Sequence, residues 1–272
     1  MKTVREPAVA GMFYPSSPSK LSSEIKTYLD LVNLEKSYEK VFGIVSPHAG
    51  YVYSGKTAAH AYKTIKNKNY KTVIVISPSH REYFPGISIY SGDAYKTPLG
   101  EIELDKEMIA KLVEDKSYIF EGLNGHRAEH ALEVQLPFLQ TVLGSFKLVP
   151  IVMGDQRKMY VEGLAEKLAQ VVSDETLIVA SSDLSHFHSK ANAAKLDSIV
   201  EKRISEFDYN RLLDDLEEQK CEACGGGPIA ALLKTAELKG IHNVKVLSRT
   251  DSGDVTGDSS EVVGYLSAVI FS

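Results

Sequence analysis

The sequence predicts an α/β fold: a single three-layer α/β/α domain over residues 1–272 with a mixed central sheet. Three observations point there. Apolar, β-branched runs alternate with stretches of helical apolar spacing along the whole chain. The run at residues 71–76 shows no polar alternation, as a strand covered on both faces requires. Three such runs end in small polar residues and then a histidine: Ser46-Pro47-His48, Ser77-Pro78-Ser79-His80, and Ser181-Ser182-Asp183-Leu184-Ser185-His186. In open α/β sheets, ligands and catalytic groups gather in the crevice beyond the carboxyl ends of the strands.

Residues 1–18 hold Pro7, Gly11, Pro15 and Pro18, too much proline for a regular helix. With Met12-Phe13-Tyr14 they read as a strap packed on the body. A helix follows, with Ser19 or Ser22 near its cap and Leu21, Ile25, Tyr28, Leu29 and Leu31 as its apolar side. Residues 41–45 form a strand, and after the His48 loop Ser54 caps a helix through Ala58, Ala59, Ala61, Tyr62 and Ile65. Strands are expected at 71–76, 87–90 and 101–104, and Asp105 opens a helix through Met108, Ile109 and Leu112. Residues 128–143 read as helix despite Pro137. A strand at 146–152, a helix at 159–172 and a strand at 176–180 come next. Helices at 191–207, 209–219 and 228–238, then strands at 244–247 and 262–271, complete the chain, with a Gly/Asp/Ser loop at 250–260 placed over the site. His48 and His80 fall on strands expected to be neighbours in one βαβ unit. No low-complexity linker divides the chain.

A net charge of −5 offers no basic field for nucleic acid or an anionic membrane. No leader-like run or membrane-length apolar stretch is present in the sequence. Two cysteines, Cys221 and Cys224, are too few for a disulfide framework and fit a reducing cytosol, so a cytoplasmic protein is expected.

His48 and His80 are candidate metal ligands, because neutral imidazole is the commonest protein ligand of transition metals. The plain alternative is a pair of loop histidines hydrogen-bonded to backbone. Asp183, three residues before His186, is a candidate to orient that ring and raise its basicity for general acid–base work; the alternative is a turn cap. His188 is read as facing solvent. Glu129-His130 opens the helix expected near residue 128, with His130 aimed into the site or simply on a surface face. Cys224 precedes Gly225-Gly226-Gly227 and the Pro228 helix, where a helix N-terminus favours thiolate, and it is either a ligand or a small buried residue. Cys221 is taken as structural. A lone C-x-x-C is weak support for zinc. Nucleotide-loop, EF-hand and nucleophile-elbow patterns are missing from the sequence.

Taken jointly, these residues resemble the Memo family nearly end to end. The carriers are Arg5 with Ala8-Val9-Ala10-Gly11-Met12-Phe13-Tyr14-Pro15, Pro47-His48-Ala49-Gly50-Tyr51 with Ser54-Gly55, and Pro78-Ser79-His80. Glu129-His130 with Glu133 and Leu136-Pro137, Ser181-Ser182-Asp183 with His186, and Cys224-Gly225 with Pro228-Ile229 complete the set. The resemblance implies a fold similar to the class III extradiol dioxygenases. It implies a single transition metal (iron or copper first, zinc next) on His48, His80 and Cys224, with Asp183, His186 and His130 as catalytic groups. Phe13, Tyr51 and Glu129 would line the pocket. Prokaryotic relatives accompany AMMECR1-like and radical SAM proteins, which are the implied partners beside an unknown small molecule or peptide. Those dioxygenases use two histidines and a carboxylate; a thiolate third ligand shifts preference toward copper, zinc or thiolate-bound iron. Two functions follow: a metal-dependent redox enzyme, or a non-catalytic metal- or partner-binding protein on an enzyme-derived fold.

Overall fold

In the computed structural model, which describes residues 2–115 and 117–272, strands and helices follow the order β1 (Val4–Arg5), α1 (Pro18–Leu31), β2 (Val41–Ser46), α2 (Tyr51–Ile65), β3 (Thr72–Pro78), β4 (Ile87–Tyr90), β5 (Ala94–Thr97) and β6 (Gly100–Glu103). Next come α3 (Lys106–Val113), β7 (Ile119–Gly122), α4 (Leu136–Leu143), β8 (Lys147–Met153), α5 (Lys158–Val171), β9 (Thr176–Ser181) and β10 (His186–His188). The chain ends with α6 (Lys190–Ser205), α7 (Tyr209–Glu217), α8 (Gly226–Leu238), β11 (Asn243–Asp251), α9 (Gly253–Thr256) and β12 (Val262–Phe271).

The main sheet is mixed. Its centre is the parallel set β2-β9-β3-β8, whose strands are buried along nearly their whole length. Antiparallel strands extend it on both sides: β4 joins β8, with β7 beyond it, and β12 joins β2 and also pairs with β11 and β10. A small second sheet runs β1-β5-β6 and ties the N-terminus to the body. Helices α1, α2 and α4 pack together as one layer, and α3, α5, α7 and α8 as the other. The predicted mixed α/β architecture is the one observed. Among the described residues, no helix is long and apolar enough to cross a membrane.

Several local expectations are corrected. The first helix starts at Pro18, after Ser17, whose side chain makes no capping hydrogen bond; proline suits the first turn, where a missing N–H costs nothing. The second begins at Tyr51, so Ser54 lies inside it and donates its hydroxyl to the Ala49 carbonyl. Residues 128–132 are not helical. Glu129 turns its carboxylate onto the N–H groups of His130 and Ala131, both at 3.0 Å, which competes with helix formation. A 3₁₀ turn at Glu133–Gln135 then leads into α4, with Pro137 near its start. The β2 and β3 strands are not neighbours, because β9 is inserted between them. The expected loop at 250–260 is largely structured, as the end of β11 followed by α9, and Lys190 pins it to the start of α6 through Asp251 (2.9 Å) and Asp254 (2.5 Å).

Candidate metal centre

Parallel register brings the four central strands to one edge. Ser46 pairs with Ser181, and Ile76 with Ala180. The residues just past each strand, His48, Asp183 and His80, therefore meet in one crevice. Cys224 reaches it from the turn before α8. Its N–H donates to the Asp183 carbonyl (3.2 Å), its sulfur accepts from the Asp183 N–H (3.3 Å), and its own carbonyl accepts from Gln156 (2.8 Å). Gly225 is required in this turn. A Cβ there would stand 2.1 Å from the Ser181 carbonyl and 2.8 Å from the Ser182 Cβ.

The Cys224 Sγ lies 3.1 Å from His48 Nε2, and one ligand atom from each of His48, His80 and Cys224 lies within 4.8 Å of the others. His48 is buried, with its Nδ1 2.9 Å from the Ser181 hydroxyl. His80 lies edge-on to it, ring centres 5.1 Å apart, with its Nδ1 2.9 Å from Glu129 Oε1. His130 joins them at 4.8 Å from His80 and 5.4 Å from His48, with Phe13 stacked obliquely on it at 4.7 Å. The His130 Nδ1 lies 3.2 Å from Glu129 Oε1, but the angle makes no hydrogen bond and the atom is buried without one. A second trio, His80, Glu129 and His130, is also close enough to share an ion. The first trio fits a soft or borderline metal better, because Glu129 Oε1 already accepts the N–H groups of His130 and Ala131 and lies 2.9 Å from the His80 Nδ1.

Charge in the crevice follows burial. Burial, then the neighbouring rings, push His48 well below the ordinary imidazole range. Burial lowers His130 to about 4 and also lowers His186, so all three rings are neutral near pH 7. Burial raises Asp183 to about 7 against two backbone hydrogen bonds, and burial and Asp183 together push the Cys224 thiol far up. For Glu129, burial pushes upward, but the hydrogen bonds from His80 and from the surrounding backbone N–H groups outweigh it and hold the carboxyl well down the carboxylate range.

Asp183 does not orient His186 as the sequence spacing suggested. Its Oδ1 accepts from the N–H groups of His48 (2.7 Å) and Ala49 (3.3 Å), and the His186 Nδ1 instead meets the Leu184 carbonyl at 2.8 Å. The carboxylate thus shapes the His48 loop. Tyr51, expected to line the pocket, packs behind it: it is buried against Tyr14 and Phe138 and donates its hydroxyl to the Val134 carbonyl at 2.8 Å. His188, expected to face solvent, is half-exposed and pairs with Glu222 at 2.9 Å. Cys221 is buried. Beside Cys224 and His186 opens a cavity of about 940 Å³, walled by Gln156, Leu184, Leu216 and Glu222 among others.

A family model described as Memo-like protein matches residues 5–269. The chain belongs to the Memo family. A MEMO1 family protein of Thermoplasma volcanium is 38% identical, over 98% of each chain. One of Methanocaldococcus jannaschii is 37% identical over 99% of this chain and 100% of that one, and one of Methanococcus maripaludis is 39% identical over 98% and 99%. Among solved structures, an uncharacterized protein of Escherichia coli K12 aligns with a TM-score of 0.47 and 13% identity over 74% of this chain and 86% of that chain, too loosely to say anything of the site.

The sequence names Arg5, Glu133 and Ser181 among the Memo motifs but not their role in holding the crevice together, and it singles out neither Gln135 nor Gln156. Ser181 and Gln135 support His48, and Gln156 bridges the Cys224 turn to the end of β8. Arg5 donates to the carbonyls of His126 (3.0 Å) and Glu129 (2.7 Å) and pairs with the buried Glu133. A signal existed for two of them: Glu133 and Gln135 are polar residues set inside the apolar run from Ala131 to Leu139. Buried polar groups of that kind need partners.

Proposed function

We propose that this Memo protein holds one transition-metal ion on His48, His80 and Cys224 and serves a metal-dependent redox reaction on a small molecule. The observation that carries the reading is the convergence of two imidazoles and one cysteine sulfur in a crevice at the sheet edge, with ligand atoms within 4.8 Å of one another. The donor set suits iron, copper or zinc, and its softness favours copper or zinc over a carboxylate-loving ion. When bound, such an ion supplies Lewis acidity and, for iron or copper, a one-electron couple.

The chain's own residues supply the rest. His186, neutral and anchored through its Nδ1 on the Leu184 carbonyl, keeps its second ring nitrogen available as a proton acceptor beside the cavity. Asp183 holds the His48 loop and the Cys224 turn in one piece. The cavity is within the range of small-molecule sites.

A second reading, a partner- or peptide-binding role, is favoured by one observation. Phe187 is 72% exposed with φ +62, and Tyr83 is 76% exposed; each follows closely on a site histidine. An exposed aromatic held in the left-handed region is a costly feature of the kind found at binding sites.

Elemental analysis of protein purified anaerobically tests the first reading. Wild type is expected to carry about one metal per chain, and His48→Ala and Cys224→Ser almost none. His186→Ala, which leaves the ligand set intact, is expected to retain it. Equal metal content in wild type and His48→Ala overturns the assignment.

A further inference from the structure

We propose that Ser181, backed by Gln135, and Glu129 are positioning residues that fix both His48 and His80 as Nδ1–H tautomers, which leaves Nε2 as the donor atom of each. The proposal rests on the metal-site reading above and goes beyond it by saying which ring atoms face the ion and what makes them do so.

For His48 the assignment follows from counting protons at one oxygen. The Ser181 Oγ has three neighbours: the Ala131 carbonyl at 2.7 Å, the Gln135 amide nitrogen at 2.7 Å and the His48 Nδ1 at 2.9 Å. A carbonyl can only accept, so the single hydroxyl proton goes to Ala131. The Gln135 amide cannot be turned round, because its nitrogen also donates to the Pro47 carbonyl (3.0 Å) while its oxygen accepts from the Tyr62 hydroxyl (2.6 Å). Both remaining lone pairs of Ser181 therefore accept, one from Gln135 and one from His48. The His48 Nδ1 carries the proton, and Nε2 is the bare nitrogen that lies 3.1 Å from the Cys224 sulfur.

For His80 the partner is a carboxylate. Glu129 is buried and accepts N–H groups from the backbone of His80 (2.6 Å), His130 (3.0 Å) and Ala131 (3.0 Å). Two of those N–H groups fall on Oε1 and the third on Oε2, so both oxygens are set as acceptors and the His80 Nδ1, 2.9 Å from Oε1, is the donor. One short segment thus controls both rings: Glu129 directly, Ala131 and Gln135 through Ser181. Arg5 holds the same segment by binding the carbonyls of His126 and Glu129. Hydrogen bonds to the non-ligating nitrogen of a metal histidine fix its tautomer, and their loss lowers metal affinity about 10- to 100-fold.

Two readouts test this on the full chain. Long-range proton–nitrogen NMR of the metal-free protein is expected to show His48 and His80 protonated at Nδ1. In Ser181→Ala, which deletes one buried oxygen, His48 is expected to lose that preference while His80 keeps it. Glu129→Gln is expected to do the converse. Zn(II) competition titrations are expected to show each variant weakened about 10- to 100-fold. Either histidine protonated at Nε2 in wild type overturns the proposal, even if neither variant folds. So does a folded Ser181→Ala with unchanged tautomer and zinc affinity. If wild type binds no zinc, the metal-site reading fails, and the NMR result still decides the tautomers separately.

Discussion

At the scale of single residues, the crevice depends on positions with almost no room to change. Gly225 is the clearest. Adding one methyl would drive it into the Ser181 carbonyl, backbone that cannot yield without moving the end of β9. Gly225→Ala is expected to destabilise the protein by about 1–3 kcal/mol, the usual cost of overpacking, and to displace Cys224. Urea denaturation would register the first effect and zinc affinity the second. His126 supplies a pH prediction away from the candidate ligands. It is buried between the Tyr95 hydroxyl (2.7 Å) and the Ser88 carbonyl (3.3 Å), and burial lowers it to about 3. The folded protein keeps this ring neutral while the unfolded chain protonates it below about 6.5. Its contribution is complete above pH 6.5 and is lost as pH falls from there toward 3. His126→Gln is therefore expected to flatten the dependence of Tm on pH between 6.5 and 4, whatever it does to Tm at pH 7. An unchanged slope would contradict the assignment.

At the scale of elements, the N-terminal strap is organised by one buried carboxylate. Glu133 accepts from Arg5, from the N–H groups of Ala8 (2.8 Å) and Val9 (3.0 Å), and from the Tyr14 hydroxyl (2.5 Å). Removing one member of a buried pair leaves an uncompensated charge, so Arg5→Ala is expected to cost about 3–5 kcal/mol. Because Arg5 also holds the segment around Glu129, the variant is expected to weaken metal binding as well; denaturation and zinc titration measured on the same sample would check both. The strap was legible as packed chain from its prolines and aromatics, because those residues constrain backbone locally. Its anchor was not, because Glu133 lies far along the chain and only folding brings the two together. The same logic explains residues 128–132, read as helix from apolar spacing but bent by the Glu129 side chain, whose competition with the backbone has no periodic signature.

At the scale of the whole molecule, the buried strands β3 and β9 were readable from unbroken apolar runs, and strand ends marked where chemistry gathers. Their lateral order was not readable. β9 lies between β2 and β3, and nothing local in either strand encodes its insertion. That insertion matters: it places Asp183 and Ser181 between the two candidate ligand loops, where one reaches the backbone of His48 and the other its ring. Reading Asp183 as the partner of His186 failed for this reason, since sequence proximity was outweighed by register. A metal that binds only the folded chain must also stabilise it, by about 2.7 kcal/mol at a free concentration one hundred times Kd. Saturating zinc is thus expected to raise Tm in wild type and not in His48→Ala, a difference that thermal melts with and without chelator would show. Whether His48, His80 and Cys224 hold a metal is tested most directly by an anaerobic Co(II) titration followed by absorbance. Saturation is expected at about one equivalent with a thiolate-to-cobalt charge-transfer band, and Cys224→Ser is expected to lose that band. A spectrum without thiolate character in wild type, or one unchanged by Cys224→Ser, would contradict the metal-site assignment.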